Sequence, residues 1–144
     1  MAQYRVDHTC GHTETHTLYG PGKERTRKLE WLATTLCTAC YRADQEARRE
    51  AADAAAAEAN ADAGLVALAG TSKQIAWAES IRAAALAEIG AMEGRLERIP
   101  DPAQRPRVAA AIAAVRGQAS AAWWIDRREV PAGNLIREGM GISV

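Results

Sequence analysis

The stretch QYRVDHTCGHTETHTLY, residues 3–19, decides the fold at the N-terminal end of the chain. On both sides of Gly11, aromatic or β-branched residues alternate with polar ones, which is the period of a β-strand. The alternation predicts a short β-hairpin that turns near Cys10 and Gly11. The Gly-Pro-Gly sequence at 20–22 then ends the second strand.

Two short clusters of metal-ligand residue types lie in this part of the chain. The first is His8-Thr9-Cys10-Gly11-His12 and the second is Cys37-Thr38-Ala39-Cys40. All three cysteines and all three histidines fall between residues 8 and 40. Structural zinc sites take four nitrogen or sulfur ligands, usually two from each of two tight turns. The spacing therefore predicts one structural zinc ion.

The four expected zinc ligands come in two pairs, one from each cluster: His8, Cys10, Cys37 and Cys40. A glycine directly after a ligand lets backbone N–H groups approach the thiolate without a Cβ clash, and Gly11 follows Cys10. We therefore expect His8 and Cys10 to form the first pair. His12 is the alternative to His8, because its spacing from Cys10 is equally short. We expect His16, farther along the second strand, to be a surface residue.

An enzymatic interpretation uses the same region differently. His12-Thr13-Glu14 followed by Cys37-x-x-Cys40 has the outline of the zinc deaminase signature, H-x-E…P-C-x-x-C. There, three ligands leave a position open for water and Glu14 moves the proton. However, Leu36 stands where the signature has Pro, and Cys10 and His8 would lie beside the metal. The rest of the chain also lacks an alternating βαβ pattern, so the closed structural site is preferred.

The remainder of the chain predicts helices. It is 48% hydrophobic, but much of that is alanine, and aromatic residues make up only 5% with no Phe, which favours helices over strands. One helix is expected over 23–36. An Ala-rich helix over 39–63 has few large apolar residues and is predicted to be a solvated spacer. A third helix begins after Ser72 as its N-cap and ends before Pro100, and a fourth covers about 102–125.

These patterns predict a mainly α protein in three parts. Residues 1–45 form a zinc-ribbon-like β-hairpin module, residues 46–69 an Ala-rich connecting helix, and residues 70–144 a helical hairpin or bundle. The tail around Leu135 and Ile136 would close the hairpin. The apolar stripe over residues 75–99 would also suit a homodimer.

Two stretches of the helical part are distinctive: GTSKQIAWAESIR at 70–82 and AAWWIDRR at 121–128. Together with His8-x-Cys10-Gly11-His12 and Cys37-x-x-Cys40, they resemble a loose group of small bacterial, plasmid and phage proteins with no settled activity. In that group a zinc-ribbon-like head precedes a "GTxKQIxWAxxIR … WWID" helical module. The resemblance covers most of the chain outside the Ala-rich segment and implies this architecture. The group commonly has Cys where this chain has His8.

The helical part also offers a candidate partner-binding surface that combines Trp with basic residues, the types enriched at binding hot spots. Its expected members are Lys73, Trp77, Arg82, Trp124, Arg127 and Arg128. Arg82 interrupts an apolar stripe, however, and a buried arginine needs a carboxylate partner. The competing interpretation is therefore a packed core in which Arg82 meets Asp126 or Glu79.

The charge balance and the hydropathy of the chain disfavour two classes of protein, dedicated nucleic-acid binders and membrane proteins. The 18 Lys and Arg balance the 18 Asp and Glu, which disfavours a dedicated nucleic-acid binder, although the basic helix at 23–28 keeps that alternative open. No apolar run reaches the length of a membrane span and no signal-peptide core is present, so we expect a cytoplasmic protein with reduced thiols.

We therefore expect a non-enzymatic, zinc-stabilised protein that binds a macromolecular partner, with protein ahead of nucleic acid. The resemblance to phage and plasmid proteins suggests an accessory factor or an inhibitor of a host nuclease or defence complex.

Overall fold

The computed structural model describes residues 1–142, which form a β-hairpin followed by six α-helices. The predicted class, mainly α with a small N-terminal hairpin, is confirmed. The chain divides into two compact units: the first unit is Met1–Arg49, and the second unit begins at Glu50.

The first unit opens with two antiparallel strands, β1 (Ala2–Asp7) and β2 (Thr13–Leu18), as the alternation predicts. Their connection is tight: the Gly11 N–H donates to the His8 carbonyl at 2.9 Å, and the His8 N–H donates to the His12 carbonyl at 3.0 Å. Gly11 has φ +78°, a left-handed conformation that glycine adopts without strain and that ends many three-residue hairpin loops.

Helix α1 (Gly22–Ala33) contacts β1, with Leu32 and Val6 buried. It ends before the predicted limit at residue 36. The hydroxyls of Thr34 and Thr35 donate to the backbone carbonyls three residues earlier, at 2.7 and 2.8 Å. Such local side-chain bonds compete with helical hydrogen bonds and favour termination.

Helix α2 (Thr38–Asp62) covers the Ala-rich stretch. The sequence predicts a solvated spacer, but the end of α2 packs within the second unit. Asn60 is buried, and its side-chain amide donates to the Glu79 carboxylate at 2.6 Å and to the Glu79 carbonyl at 3.1 Å. Asp53 likewise accepts a hydrogen bond from the Ser80 hydroxyl. These contacts between α2 and residues 79 and 80 are polar, so the spacing of apolar residues in the sequence does not predict them.

The second unit continues with α3 (Ser72–Glu93), a 3₁₀ turn (Leu96–Arg98), α4 (Gln104–Arg116), α5 (Ala121–Asp126) and α6 (Ala132–Gly139). Helix α3 contacts α5 and α6, and α4 contacts α6, so these helices form a small bundle. Its buried core contains eleven side chains: Leu68, Ala78, Ile89, Ala111, Ile112, Val115, Ala121, Trp124, Ala132, Leu135 and Ile136. The apolar stripe of α3 supplies Ala78 and Ile89 to this core.

Three helix limits differ from the sequence predictions. The N-cap of α3 is Thr71, one residue before the predicted Ser72, because Thr71 and Gln74 form a reciprocal capping box. Helix α3 ends at Glu93 instead of continuing to residue 99. The predicted helix over 102–125 is two helices, α4 and α5. Ser120 caps α5, and Ala69 makes backbone hydrogen bonds with Ala119 and Ala121, at 2.7 and 3.0 Å, where the chain passes from the link into α5.

Within residues 1–142, no helix combines the length and the apolar character needed to cross a membrane.

Candidate metal centre

Four ligand-type side chains meet in the first unit. Cys10 comes from the hairpin turn, His12 from the residue before β2, Cys37 from the residue before α2, and Cys40 from the first turn of α2. One ligand atom of each lies within 4.8 Å of all the others. This group of three thiols and one imidazole, the Cys₃His cluster, could hold a metal ion such as zinc.

The measured distances fit a tetrahedral ion. Zinc bonds of about 2.3 Å to sulfur and about 2.0 Å to nitrogen place tetrahedral sulfur and nitrogen ligands about 3.5 Å apart. The Nδ1 atom of His12 lies 3.2 Å from Cys40 Sγ and 3.8 Å from Cys37 Sγ. These values bracket the expected separation, so the side chains are already grouped at metal-ligand spacing.

Backbone N–H groups point at two of the three sulfur atoms. The Cys37 N–H donates to Cys10 Sγ and the Cys40 N–H donates to Cys37 Sγ, each at 3.4 Å. The Cys37 carbonyl accepts from Tyr41 N–H at 2.8 Å, so Cys37 occupies the N-cap position of α2. Donors of this kind, at the positive end of a helix, favour the thiolate form that metals require.

The thiols do not ionise alike. Backbone hydrogen bonds, first from Cys37 and then from His12, lower the pKa of Cys10 to about 6. The pKa of Cys40 is raised to about 11, first by its side-chain hydrogen bond with Cys37 and then by that with Cys10. Three negative sulfur atoms this close repel one another, and a bound divalent cation removes that penalty.

His8, the ligand preferred from the sequence, lies outside the Cys₃His cluster, and His12, the alternative, lies inside it. The His8 ring is buried, with Nδ1 3.1 Å from the Thr35 carbonyl oxygen and Nε2 3.0 Å from His16 Nε2. Apart from its neighbours in sequence, a Cβ at Gly11 would meet nothing within 4 Å, so close approach of another segment is not what requires glycine there. Gly11 is needed for its left-handed backbone, which does not distinguish His8 from His12.

A second group of ligand-type side chains contains His8, Glu14 and His16, a combination that the motif spacing does not predict. Glu14 Oε2 lies 3.7 Å from His8 Nε2 and 3.8 Å from His16 Nε2. It also accepts the Thr38 N–H at 2.9 Å, and this hydrogen bond is the main cause that lowers the pKa of Glu14, with the two histidines adding to it. His16, expected at the surface, is half-buried against His8. The signal that could have found this group is strand parity, because positions 14 and 16 share one face of β2.

Two of the six residues expected at a partner surface belong to the core. Trp124 and Arg82 are 1% and 2% exposed. Trp124 Nε1 donates to the Gln118 carbonyl at 3.1 Å, and Arg82 donates to Glu79 Oε2 and to the Val66 carbonyl, both at 2.6 Å. The packed-core interpretation of Arg82 therefore holds, with Glu79 as the carboxylate partner. Neither residue can contact a partner protein in this structure.

The other four expected surface residues are at least partly accessible: Lys73, Trp77, Arg127 and Arg128. Trp77 is 48% exposed, and the Arg128 guanidinium lies 5.9 Å from its ring centre. Arg127 sits 4.6 Å from the Trp123 ring centre and is paired with Glu138 at 2.9 Å. Trp77, Arg127 and Arg128 border one groove of about 560 Å³ in the second unit.

Comparisons with protein-family models, with curated proteins and with solved structures found no match to this chain. Function must therefore be argued from the sites themselves.

Proposed function

We propose that this chain is a zinc-stabilised, non-enzymatic protein that binds another protein. In this proposal Cys10, His12, Cys37 and Cys40 hold one structural zinc ion. The observation that supports it most is the presence of Cys10 as a fourth ligand-type side chain within 4.8 Å of the other three. Four protein ligands complete a tetrahedral shell, as in structural sites, whereas catalytic zinc keeps a position for water.

The same observation weakens the deaminase alternative. That activity needs His12, Cys37 and Cys40 as the three ligands, with Glu14 beside an open position. Against it, Cys10 stands beside those three residues as a fourth ligand-type side chain, and Glu14 accepts the Thr38 N–H and faces His8 and His16. Cytidine or adenosine deamination that is lost in Glu14→Ala, with zinc retained, would favour the enzyme over our proposal.

Metal analysis tests the structural role. We expect the purified protein to take up Co²⁺ with the thiolate-to-metal absorption of a sulfur-rich site, and zinc to displace it. Cys10→Ser should abolish this absorption and the fold of the first unit together. Thr9→Ala, a neighbouring exposed position, is the matched control and should bind normally. Retention of a folded first unit in Cys10→Ser without metal would contradict the proposal.

The groove in the second unit is the proposed protein-binding surface. The accessible part of its apolar floor is formed by Ile81 and Ala85 of α3 and by Val130 of the link between α5 and α6. The almost fully buried Trp124 and Leu135 also line the groove but are not available to a partner. Trp77 stands at its border with almost half of its surface accessible. An accessible aromatic side chain beside an apolar floor is the arrangement found at interface hot spots.

Charges around the groove favour protein over nucleic acid. Arg127 and Arg128 line it together with Glu88 and Glu129, so the basic charges are matched by acidic ones. A phosphate backbone would be repelled by the carboxylates as much as attracted by the guanidinium groups. A protein segment that inserts apolar side chains fits better, and the resemblance to phage and plasmid proteins suggests a host nuclease or defence complex as its source.

Site-specific photocrosslinking tests this surface. A photoreactive amino acid at position 77 should crosslink a defined protein in cells, whereas the same group at exposed Arg107 on α4 should not. Trp77→Ala and Arg128→Ala, tested as purified proteins, should weaken binding to that protein by at least about tenfold each, as hot-spot residues do. Equal crosslinking from positions 77 and 107, or unchanged affinity in Trp77→Ala, would contradict the proposed surface.

One observation favours nucleic acid as a second candidate. On α1, Lys28 Nζ lies 3.8 Å from the ring centre of Trp31, which is 54% exposed. A basic and aromatic surface of this kind can stack a base while neutralising phosphate. Binding of labelled RNA or single-stranded DNA that falls steeply with salt and is lost in Trp31→Ala would favour this candidate. No shift at low salt would eliminate it.

A further inference from the structure

The inner face of the hairpin carries a second set of ligand-type side chains. Glu14 and His16 lie two residues apart on β2, opposite Val6 and Tyr4 of β1. His8 follows Val6 by two residues, so strand alternation places it on the same face. His8, Glu14 and His16 thus point to one side of the hairpin, where their ligand atoms lie within 4.8 Å of one another.

The distances match those between ligands of one metal ion. Zinc bonds of about 2.0–2.2 Å to nitrogen and oxygen place tetrahedral ligand atoms about 3.3–3.6 Å apart. The Nε2 atoms of His8 and His16 are 3.0 Å apart, and Glu14 Oε2 lies 3.7 and 3.8 Å from them. All three atoms therefore surround a point at bonding distance from each.

The hydrogen bonds around these groups set the tautomer of His8 and hold the Glu14 carboxylate in place. His8 Nδ1 lies 3.1 Å from the Thr35 carbonyl oxygen, which can only accept, so Nδ1 carries the proton. In a neutral ring Nε2 then keeps its lone pair and faces His16. The Thr38 N–H fixes the Glu14 carboxylate at 2.9 Å. In metalloproteins, a metal-binding histidine donates its other N–H to a carbonyl and a metal-binding carboxylate accepts further hydrogen bonds, and these contacts orient the ligands.

We propose that His8, Glu14 and His16 form a second metal site, distinct from the Cys₃His cluster. Two imidazoles and one carboxylate suit zinc and the neighbouring divalent transition metals. Side-chain exposure rises from 1% at His8 through 20% at His16 to 34% at Glu14. The site is therefore closed on the His8 side and accessible on the Glu14 side, where water or an exogenous ligand completes the coordination.

Cobalt titration of the full chain distinguishes the two sites, because only the Cys₃His cluster gives thiolate-to-metal absorption. We expect the wild-type protein to bind two equivalents of Co²⁺, one with that absorption and one without it. His16→Gln and Glu14→Gln should each lose the second equivalent and keep the thiolate absorption. Thr17→Val, on the opposite face of β2, is the matched control and should bind two. Circular dichroism of each metal-bound variant verifies its fold.

The outcomes also separate this site from the proposed function. A single equivalent with full thiolate absorption, unchanged in His16→Gln, would overturn the second site. A single equivalent without thiolate absorption, lost in His16→Gln, would support the second site and overturn the Cys₃His zinc. If no cobalt binds, both are wrong.

Discussion

The two units of this chain differ in what holds them together. Within residues 1–49, the buried side chains are Val6, His8, Leu32 and Cys37, so two of the four are ligand types. The second unit has an apolar core of eleven side chains that includes Trp124. A unit of about 50 residues rarely stabilises itself by apolar burial alone and usually needs a metal or a disulfide. From this comparison we expect the first unit to need a bound metal in order to fold and the second unit to fold without one.

The second unit contains a buried ion pair, whose two charges must be stabilised by hydrogen bonds. Arg82 and Glu79 are joined at 2.6 Å, with side chains 2% and 8% exposed. Asn60 of α2 donates to the same carboxylate oxygen, and the Val66 carbonyl accepts from Arg82. This network joins α2, α3 and the segment between them. Two buried charges are tolerated because each is hydrogen-bonded.

Metal removal should have the largest effect and should fall on the first unit alone. Zinc binding to small structural sites contributes about 10–16 kcal/mol near neutral pH, more than the whole stability expected of such a unit. In amide NMR spectra, a chelator should collapse the dispersed signals of residues 1–49 and leave those of α3–α6 in place. Dispersed signals from β1 and β2 without metal would show that the first unit folds on its own.

Breaking the buried ion pair should be the strongest single change in the second unit. Arg82→Ala leaves the Glu79 carboxylate buried without its counter-charge, which costs about 3–5 kcal/mol. Urea unfolding followed by circular dichroism measures this loss. Arg128→Ala removes an exposed pair with Glu129 and should cost less than about 1 kcal/mol. Equal losses from the two variants would contradict the comparison.

A smaller effect is expected in the hairpin turn. Gly11→Ala forces an L-residue into the left-handed region at φ +78°, which costs about 1–2 kcal/mol. Zinc affinity, measured by competition with a chelator, should fall because folding and metal binding of this unit are linked. Gly22→Ala is the matched control, since Gly22 begins α1 without a positive φ. Its zinc affinity should be unchanged.

The smallest expected effect is at the start of α3. Thr71→Ala removes the side-chain acceptor for the Gln74 N–H and should lower the stability of the second unit by about 1 kcal/mol. Thr71→Ser keeps the hydroxyl and should cost much less. The zinc affinity of the first unit should be unaffected by either substitution. A change in that affinity would show that the two units are energetically coupled.

Much of the N-terminal site can be predicted from sequence. The alternation of aromatic or β-branched residues with polar ones predicts the hairpin. The C-x-x-C spacing predicts Cys37 and Cys40, which lie just before α2 and in its first turn, as a pair of ligands. The choice between His8 and His12 cannot be made from spacing, because both lie two residues from Cys10. The choice depends on the three-residue turn. Across this turn the His8 N–H donates to the His12 carbonyl, while the His12 side chain joins the Cys₃His cluster and the His8 side chain joins Glu14 and His16.

Which side chains lie on the surface of the second unit is harder to predict. The direction of a helical side chain is inferred by counting residues along the helix, and the count is valid only while the helix is unbroken. The helix predicted over 102–125 does not determine whether Trp124 faces the core or the solvent. In the structure the helix breaks between α4 and α5, and Trp124 lies in the core. Trp77 lies within the unbroken helix α3 and is 48% exposed. The end of α2 was missed for another reason: its attachment is made by Asn60 and not by apolar residues.

Cys37 has a consequence for how metal loading can be observed. Its sulfur both belongs to the Cys₃His cluster and accepts the Cys40 N–H at the start of α2. If the Cys₃His cluster binds an ion as proposed, loss of that ion should also release the first turn of that helix. The hydrogen-exchange rate of the Cys40 amide, followed residue by residue, becomes a direct gauge of occupancy that can be read without any added dye or metal probe.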